Sequence, residues 1–378
     1  MQAGRPPPAD YPSIQYAGRA DRVRAHLGAH GVEALAVTDL TNVRWLTGFT
    51  GSNGSAALLP DRLVLVTDGR YRDRAADELA AAGVEAEIRI GFNKNDQHDA
   101  LVAALAGIGN VGAEARSLTY ARWRKLGAEV TLVATDGLIE NERRVKDPGE
   151  IARISEACRS ADAALADVAP CLADGLTEAD VRRELEYRMR CHGADGPSYD
   201  TIVASGPHHS ARPHHEASDR KIVEGDTVVI DVGGLVDGYH SDMTRSYVIG
   251  DPTSEQRDLY DLLLEVQLAG LAAVQAGAAA RSVDEACRSL AIINGYGDWF
   301  VHSTGHGVGL LIHEDPFESP TSAVNLRVGD VVTVEPGLYR DGFGGFRIED
   351  LVEVTETGCR ILTGAPKDTP CPPSQPTI

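Results

Sequence analysis

The chain has 378 residues, 43% hydrophobic and 24% charged, a length that suits two domains and a composition ordinary for a soluble globular protein. A formal net charge of −20 argues against nucleic acid or an anionic membrane surface as partner, since both reward clustered Lys and Arg. No apolar run approaches the ~20 residues of a transmembrane helix, the N-terminus lacks the apolar stretch of a secretory signal, and six scattered cysteines without a CxxC suit reduced thiols, so a cytoplasmic setting is expected.

After a Pro-rich lead-in (MQAGRPPPADYPSIQ), helix-like and strand-like stretches alternate to about Thr135. GRADRVRAHLGAHG reads as an amphipathic helix stopped by Gly31, VEALAVTD as a strand, and AALLP with RLVLVTD as a hairpin turned at Pro60-Asp61. RYRDRAADELAAAG (helix), VEAEIRI (strand), DALVAALAGIG (helix), NVGAEA, YARWRKLG (helix) and EVTLVAT complete an α/β domain, residues 1–144. Asp147-Pro148 then marks the start of a long helix, with Asp147 as N-cap, and opens a second domain, residues 145–378.

In that second half LTEADVRRELEYRMRCHG reads as a helix capped by Thr177 and stopped by Gly193. TIVAS, DTVVIDVGG, GYHSDMTRSYVIG, DVVTVEP and GFRIEDLVEVTE read as single strands, with two helices between them, SEQRDLYDLLLEVQLAGLAAVQAG and SVDEACRSLAIING. Helices on one face of a mostly antiparallel sheet make an α+β domain. The tail TPCPPSQPTI, which holds Cys371, is expected to fray.

Five residues that can ligate metal lie in this half: Asp231, Asp242, His306, Glu335 and Glu349. Asp231 follows the apolar run TVVI, and Asp242 lies on the strand returning after the LVDGY turn, so a hairpin can set them side by side. Close carboxylates repel unless a proton or cation sits between them. His306 is flanked by Gly305 and Gly307, which suits a loop or strand rather than the helix of an HExxH site. Glu335 and Glu349 each follow an apolar stretch, where an unpartnered carboxylate is costly. Singly, each has a bland reading as a solvated turn aspartate, a structural histidine or a surface glutamate. Together, four carboxylates and one imidazole suit two divalent cations, which can hold and acidify a water and polarise a carbonyl.

IVASGPHHSARPHH, GDTVVIDVGGLVDGYHSDMTRSYVIG, HSTGHGVGLLIHEDP, VVTVEPGLY and GGFRIEDLVEVTE occur in one order, preceded by NVRWLTGFTGSNG and LVTDGRYRDRA. In these segments the chain resembles the Xaa-Pro aminopeptidases and prolidases of the pita-bread metallopeptidase family, along nearly its whole length. The resemblance implies a creatinase-like N-terminal domain and a pita-bread catalytic domain with a curved, mostly antiparallel sheet. It implies that Asp231 binds one metal, that Asp242 and Glu349 bridge both, and that His306 and Glu335 hold the second. His214, His302 and His313 would line the substrate site, Glu335 would carry the proton, and Tyr339 and Arg347 would orient ligands. His208 and His215 are left outside the site. Manganese is the expected metal, with cobalt or zinc tolerated, and a homodimer or higher homo-oligomer the expected assembly. An Xaa-Pro aminopeptidase acting on proline-containing peptides through a metal-bridging hydroxide is expected. Phe317 stands after HEDP, where some prolidases carry an arginine for the dipeptide carboxylate. The alternatives are an Xaa-Pro dipeptidase and an inactive binding protein on the same scaffold.

Overall fold

A computed structural model describes residues 11–374, which form two compact units, one of Ser13–Arg143 and one that runs from Arg144 onward and includes residues 11 and 12. The expected lead-in falls mostly on residues 1–10, and the last four residues of the tail on 375–378, outside the described residues.

The first unit is built on a six-stranded mixed sheet in the order Glu87–Ile90, Leu63–Thr67, Gly54–Leu58, Ala34–Val37, Val111–Glu114, Leu132–Thr135. Gly54–Leu58 runs antiparallel to both its neighbours, and the other pairs are parallel. The first helix, Arg19–Leu27, runs into a short 3-10 turn that ends at Gly31 with φ 69°. Two helices of this unit were not foreseen, the single turn Glu140–Arg143 and a longer one. Leu40–Thr47 begins at Asp39, whose carboxylate accepts from the Thr41 and Asn42 backbone N–H groups at 2.7 and 3.4 Å.

The second unit opens with the helix Pro148–Val168. Its N-cap Asp147 and Glu150 form a reciprocal capping box. The helix Glu178–Cys191 repeats the device with Thr177 and Asp180. All strand pairs here are antiparallel, but they fall into several small sheets rather than one. A three-stranded sheet places Thr227–Asp231 between Ile202–Ser205 and Thr244–Val248. A five-stranded sheet runs Glu314–Glu318, Gly305–Gly307, Val331–Val334, Asp350–Thr355, Gly358–Ile361. The helices Ser254–Ala273 and Ala280–Ile293 bury Leu259, Leu263, Val266, Val283 and Ala291 against Val332, Val334, Val352 and Val354.

Two expected strands are broken. GYHSDMTRSYVIG gives Tyr239–His240 and Thr244–Val248, and GFRIEDLVEVTE gives Gly344–Arg347 and Asp350–Thr355. At each break the chain leaves one partner strand for another: Gly344–Arg347 pairs with Gly337–Arg340, but Asp350–Thr355 pairs with Val331–Val334. The tail also departs from expectation. Pro370 is buried and accepts from the Val248 N–H at 2.7 Å, and the Lys367 carbonyl accepts from the Tyr260 hydroxyl at 3.0 Å, so the tail is docked as far as Pro370.

Candidate metal centre

Asp231 ends the central strand of the three-stranded sheet, with Ile202 and Thr244 opposite it on either side. The chain then makes a two-residue hairpin at Asp237-Gly238, both with positive φ (47° and 70°), as a type I′ turn requires. Asp242 lies past that hairpin, in the break before Thr244–Val248, and not on a strand as expected. The break turns its side chain into the interior, where it is 5% exposed. Glu349 lies in the other break, fixed by its own N–H on the Thr244 carbonyl at 3.2 Å and by the Thr244 hydroxyl on Oε2 at 2.7 Å. Asp231, Asp242 and Glu349 thereby offer carboxylate oxygens within 4.8 Å of one another.

His306 sits in the middle of the short strand Gly305–Gly307, where its neighbours must be glycine. A Cβ on Gly305 would lie 2.1 Å from the Thr333 carbonyl oxygen, and one on Gly307 would lie 2.4 Å from that of Asp315. His306 Nδ1 faces the Gly307 carbonyl at 3.1 Å. That contact assigns the proton to Nδ1 and leaves the Nε2 lone pair 3.6 Å from both Asp242 Oδ2 and Glu335 Oε1. Burial pushes this imidazole down to about 4, so it is neutral and able to ligate. Glu335 follows Val331–Val334 and donates its N–H to the Thr304 carbonyl at 2.8 Å.

Charge is poorly balanced. Burial raises Asp242, Glu335 and Glu349 well above the usual carboxylate range, and their mutual proximity raises them further. Against Asp231, Asp242, Glu335 and Glu349, with Asp200 also on the wall, Arg347 is the single Lys or Arg among the described residues lining the cleft, which measures about 620 Å³. Its Nη2 donates to Asp231 at 2.6 Å, its Nε to the Thr244 hydroxyl at 2.9 Å, and its Nη1 to the Tyr339 hydroxyl at 2.9 Å. Tyr339 therefore donates its O–H to His302 Nε2, 3.1 Å away, and His302 donates its Nδ1–H to the Ser303 carbonyl at 2.8 Å. His214 and His313 are exposed residues of the cleft, and the His313 ring stands 4.4 Å from that of His306. His208 and His215 lie elsewhere, on Asp341 and Glu178.

Sequence reasoning missed Tyr199 and Thr244. The Tyr199 hydroxyl contacts Oδ1 of both Asp231 and Asp242. One hydroxyl carries one proton and can donate to only one of them, so the pair still calls for a further proton or a cation. Four carboxylates and a neutral imidazole lone pair, offset by only one guanidinium, make a donor set that fits divalent metal ions.

Residues 152–356 match the model of metallopeptidase family M24, and residues 19–145 that of the creatinase/prolidase N-terminal domain. An Xaa-Pro dipeptidase of Pyrococcus horikoshii is 34% identical over 348 residues, 91% of this chain and 96% of that protein. Among solved structures, an Xaa-Pro dipeptidase from Bacillus anthracis matches with a TM-score of 0.89 at 36% identity, over 93% of this chain and 99% of that one. An X-Pro aminopeptidase from Thermotoga maritima matches with a TM-score of 0.82 at 33% identity, over 92% and 98%.

Proposed function

The chain belongs to metallopeptidase family M24, with a creatinase-type N-terminal domain and a pita-bread catalytic domain, and from that premise we propose that it hydrolyses Xaa-Pro peptide bonds with two divalent metal ions. The observation that carries this reading is the convergence of four carboxylates and one unprotonated imidazole nitrogen around a single guanidinium in one cleft. In our reading Asp231, Asp242, His306, Glu335 and Glu349 are the ligands, and residues 145–378 are the catalytic domain. Such a pair, when bound, supplies a Lewis acid for the scissile carbonyl and an acidified water. Manganese suits a donor set so rich in carboxylate oxygen, with cobalt or zinc as substitutes.

The chain's own groups do the rest. Glu335 accepts the attacking water's proton and returns it to the leaving proline nitrogen. Both ring nitrogens of His302 are engaged by Tyr339 and Ser303, which suits it to positioning. Hydrogen bonding to the developing oxyanion then falls to His313, and to a substrate carbonyl to His214.

The Xaa-Pro dipeptide is our first substrate, because the Pyrococcus and Bacillus relatives are dipeptidases. The aminopeptidase reading keeps one observation in its favour: position 317 at the cleft holds a phenylalanine and not a cation. Chelator-stripped protein reloaded with Mn²⁺ and given Ala-Pro beside Ala-Pro-Ala tests the choice. Turnover of the tripeptide alone would reverse it, and turnover of neither would sink the peptidase assignment. Full activity in remetallated Asp242→Ala or Glu349→Ala would remove the proposed ligand set. A cytoplasmic homodimer remains the expected form, to be checked by light scattering.

A further inference from the structure

A second group of ligand-type side chains lies apart from the cleft and shares no residue with it. Glu178, the first residue of the helix Glu178–Cys191, is fully buried. Its Oε1 accepts from the Ser205 N–H and hydroxyl at 2.8 and 2.7 Å, and its Oε2 from the Ser218 hydroxyl and N–H at 2.6 and 3.1 Å. Two imidazoles converge on the same carboxylate. His209 Nδ1 is 3.0 and 3.2 Å from its two oxygens, and His215 Nε2 is 3.3 Å from Oε2. The rings lie 4.0 Å apart, and all three residues offer a donor atom within 4.8 Å of one another.

Hydrogen bonding accounts poorly for this crowding. The four serine donors already match the roughly four lone-pair sites of a carboxylate, before either imidazole is counted. At 3.3 Å the His215 contact is also long for an N–H···O bond. The same spacings suit ligands of one ion. Bonds of about 2.0–2.1 Å in a tetrahedral site hold neighbouring donors roughly 3.3 Å apart, and the separations on Oε2 are 3.2 and 3.3 Å. The protonation states agree with this. The four serine donors favour the ionised form of the Glu178 carboxylate without any help from an imidazole. Burial pushes His215 down against the pull of Glu178, towards the neutral form that ligates. The neighbouring Arg220 is matched by Asp226 at 2.6 and 2.9 Å, and touches Ser205 rather than Glu178.

We propose that Glu178, His209 and His215 form a mononuclear site for a borderline divalent cation, Zn²⁺ first, independent of the Asp231–Asp242 centre. Two imidazoles and one carboxylate are the protein ligands such an ion takes with a water as the fourth. The ion would join the start of a helix, the one-turn helix Gly206–His209 and the segment that carries His214 into the cleft.

The test equilibrates stripped, full-length protein with Zn²⁺ alone by dialysis and counts bound metal by mass spectrometry. A His209→Ala/His215→Asn double variant is treated alongside. The wild type is expected to hold one equivalent more than the folded variant, however many ions the cleft takes. Equal stoichiometry overturns the proposal. In case the double variant does not fold, His209→Gln is titrated calorimetrically, with its fold checked by circular dichroism. Zn²⁺ binding of one class is expected to weaken about tenfold or more while the rest is unchanged, and an unaltered isotherm overturns the proposal. Metal counting is independent of turnover, so failure here is distinguishable from failure of the peptidase reading.

Discussion

Arg347 places Nη2 2.6 Å from Asp231 Oδ2, and the same guanidinium also reaches the Thr244 hydroxyl, the Tyr339 hydroxyl and the Pro213 carbonyl. A planar fork can hold these partners at once, whereas a lysine ammonium is a single point on a flexible stem. Arg347→Lys therefore keeps the charge and loses the geometry. Metal affinity and kcat are expected to fall about 10–100-fold, with a smaller change in KM. Metal-titrated activity and direct metal binding check this together, and wild-type affinity in the variant would contradict the orienting role.

Tyr199 bears on the same carboxylates differently. Its hydroxyl supplies one of the few protons available to Asp231 and Asp242 when no cation is bound. Tyr199→Phe leaves a buried acceptor unsatisfied, which costs about 1–3 kcal/mol. That loss is expected in urea unfolding with a chelator present and is expected to shrink when Mn²⁺ is added, because the cations then satisfy the oxygens. An equal loss in both conditions would make Tyr199 a packing residue only.

The elements legible in the sequence were those that local chemistry decides. Asp147 and Thr177 as helix caps, and the turn in LVDGY, announce themselves within a few residues and stand as read, whereas their capping-box partners Glu150 and Asp180 come only with the structure. Asp39 carries the same kind of signal for Leu40–Thr47, but it sits at the end of the strand-like VEALAVTD, which masks it. The strand breaks at Asp242 and Glu349 carry no local breaker. They come from an exchange of partner strands, which is decided far along the chain. Tyr199 meets its carboxylates across 32 and 43 residues, and nothing beside it in the sequence points to them. The ligand-type residues were readable one at a time, but the single guanidinium that offsets them, and the tautomers of His302 and His306, needed the packed structure.

Glu318 sets a pH dependence that the proposed chemistry does not use. Its side chain is fully buried, and among the described residues neither carboxylate oxygen has a hydrogen-bond partner. Burial first, then Glu335, Asp330 and Asp284, raises its pKa well above the usual range. At low pH both the folded and unfolded chains carry the proton, so it makes no difference to stability. As pH rises past the ordinary carboxylate range the unfolded chain ionises first, and the fold is progressively disfavoured until the folded carboxyl ionises too. Glu318→Gln removes that ionisation. Its stability relative to wild type is expected to grow by up to about 1.4 kcal/mol per pH unit through this window. Denaturant unfolding at a series of pH values and fixed metal measures it, and a flat difference would mean that Glu318 is ionised in the fold.

Phe317 lies directly across the ladder from His306, with the two rings 6.5 Å apart, and it is 43% exposed at the cleft. A dipeptide substrate ends in a carboxylate one residue beyond the scissile bond, and a longer peptide has an amide there instead. The one guanidinium of the cleft is already committed to Asp231, so a dipeptide carboxylate meets only imidazoles such as His214 and His313. Phe317→Arg adds a cation at the mouth of the cleft. A charge-assisted hydrogen bond contributes about 1.5–3 kcal/mol, and roughly 1.4 kcal/mol is tenfold. KM for Ala-Pro is therefore expected to fall about tenfold with kcat little changed, and Ala-Pro-Ala amide is expected to gain nothing. The gain should shrink as salt is raised, because the new pair is exposed. Equal improvement of both substrates, or none for the dipeptide at low salt, would place the carboxylate away from residue 317 and would remove the one argument from this site for preferring the longer peptide.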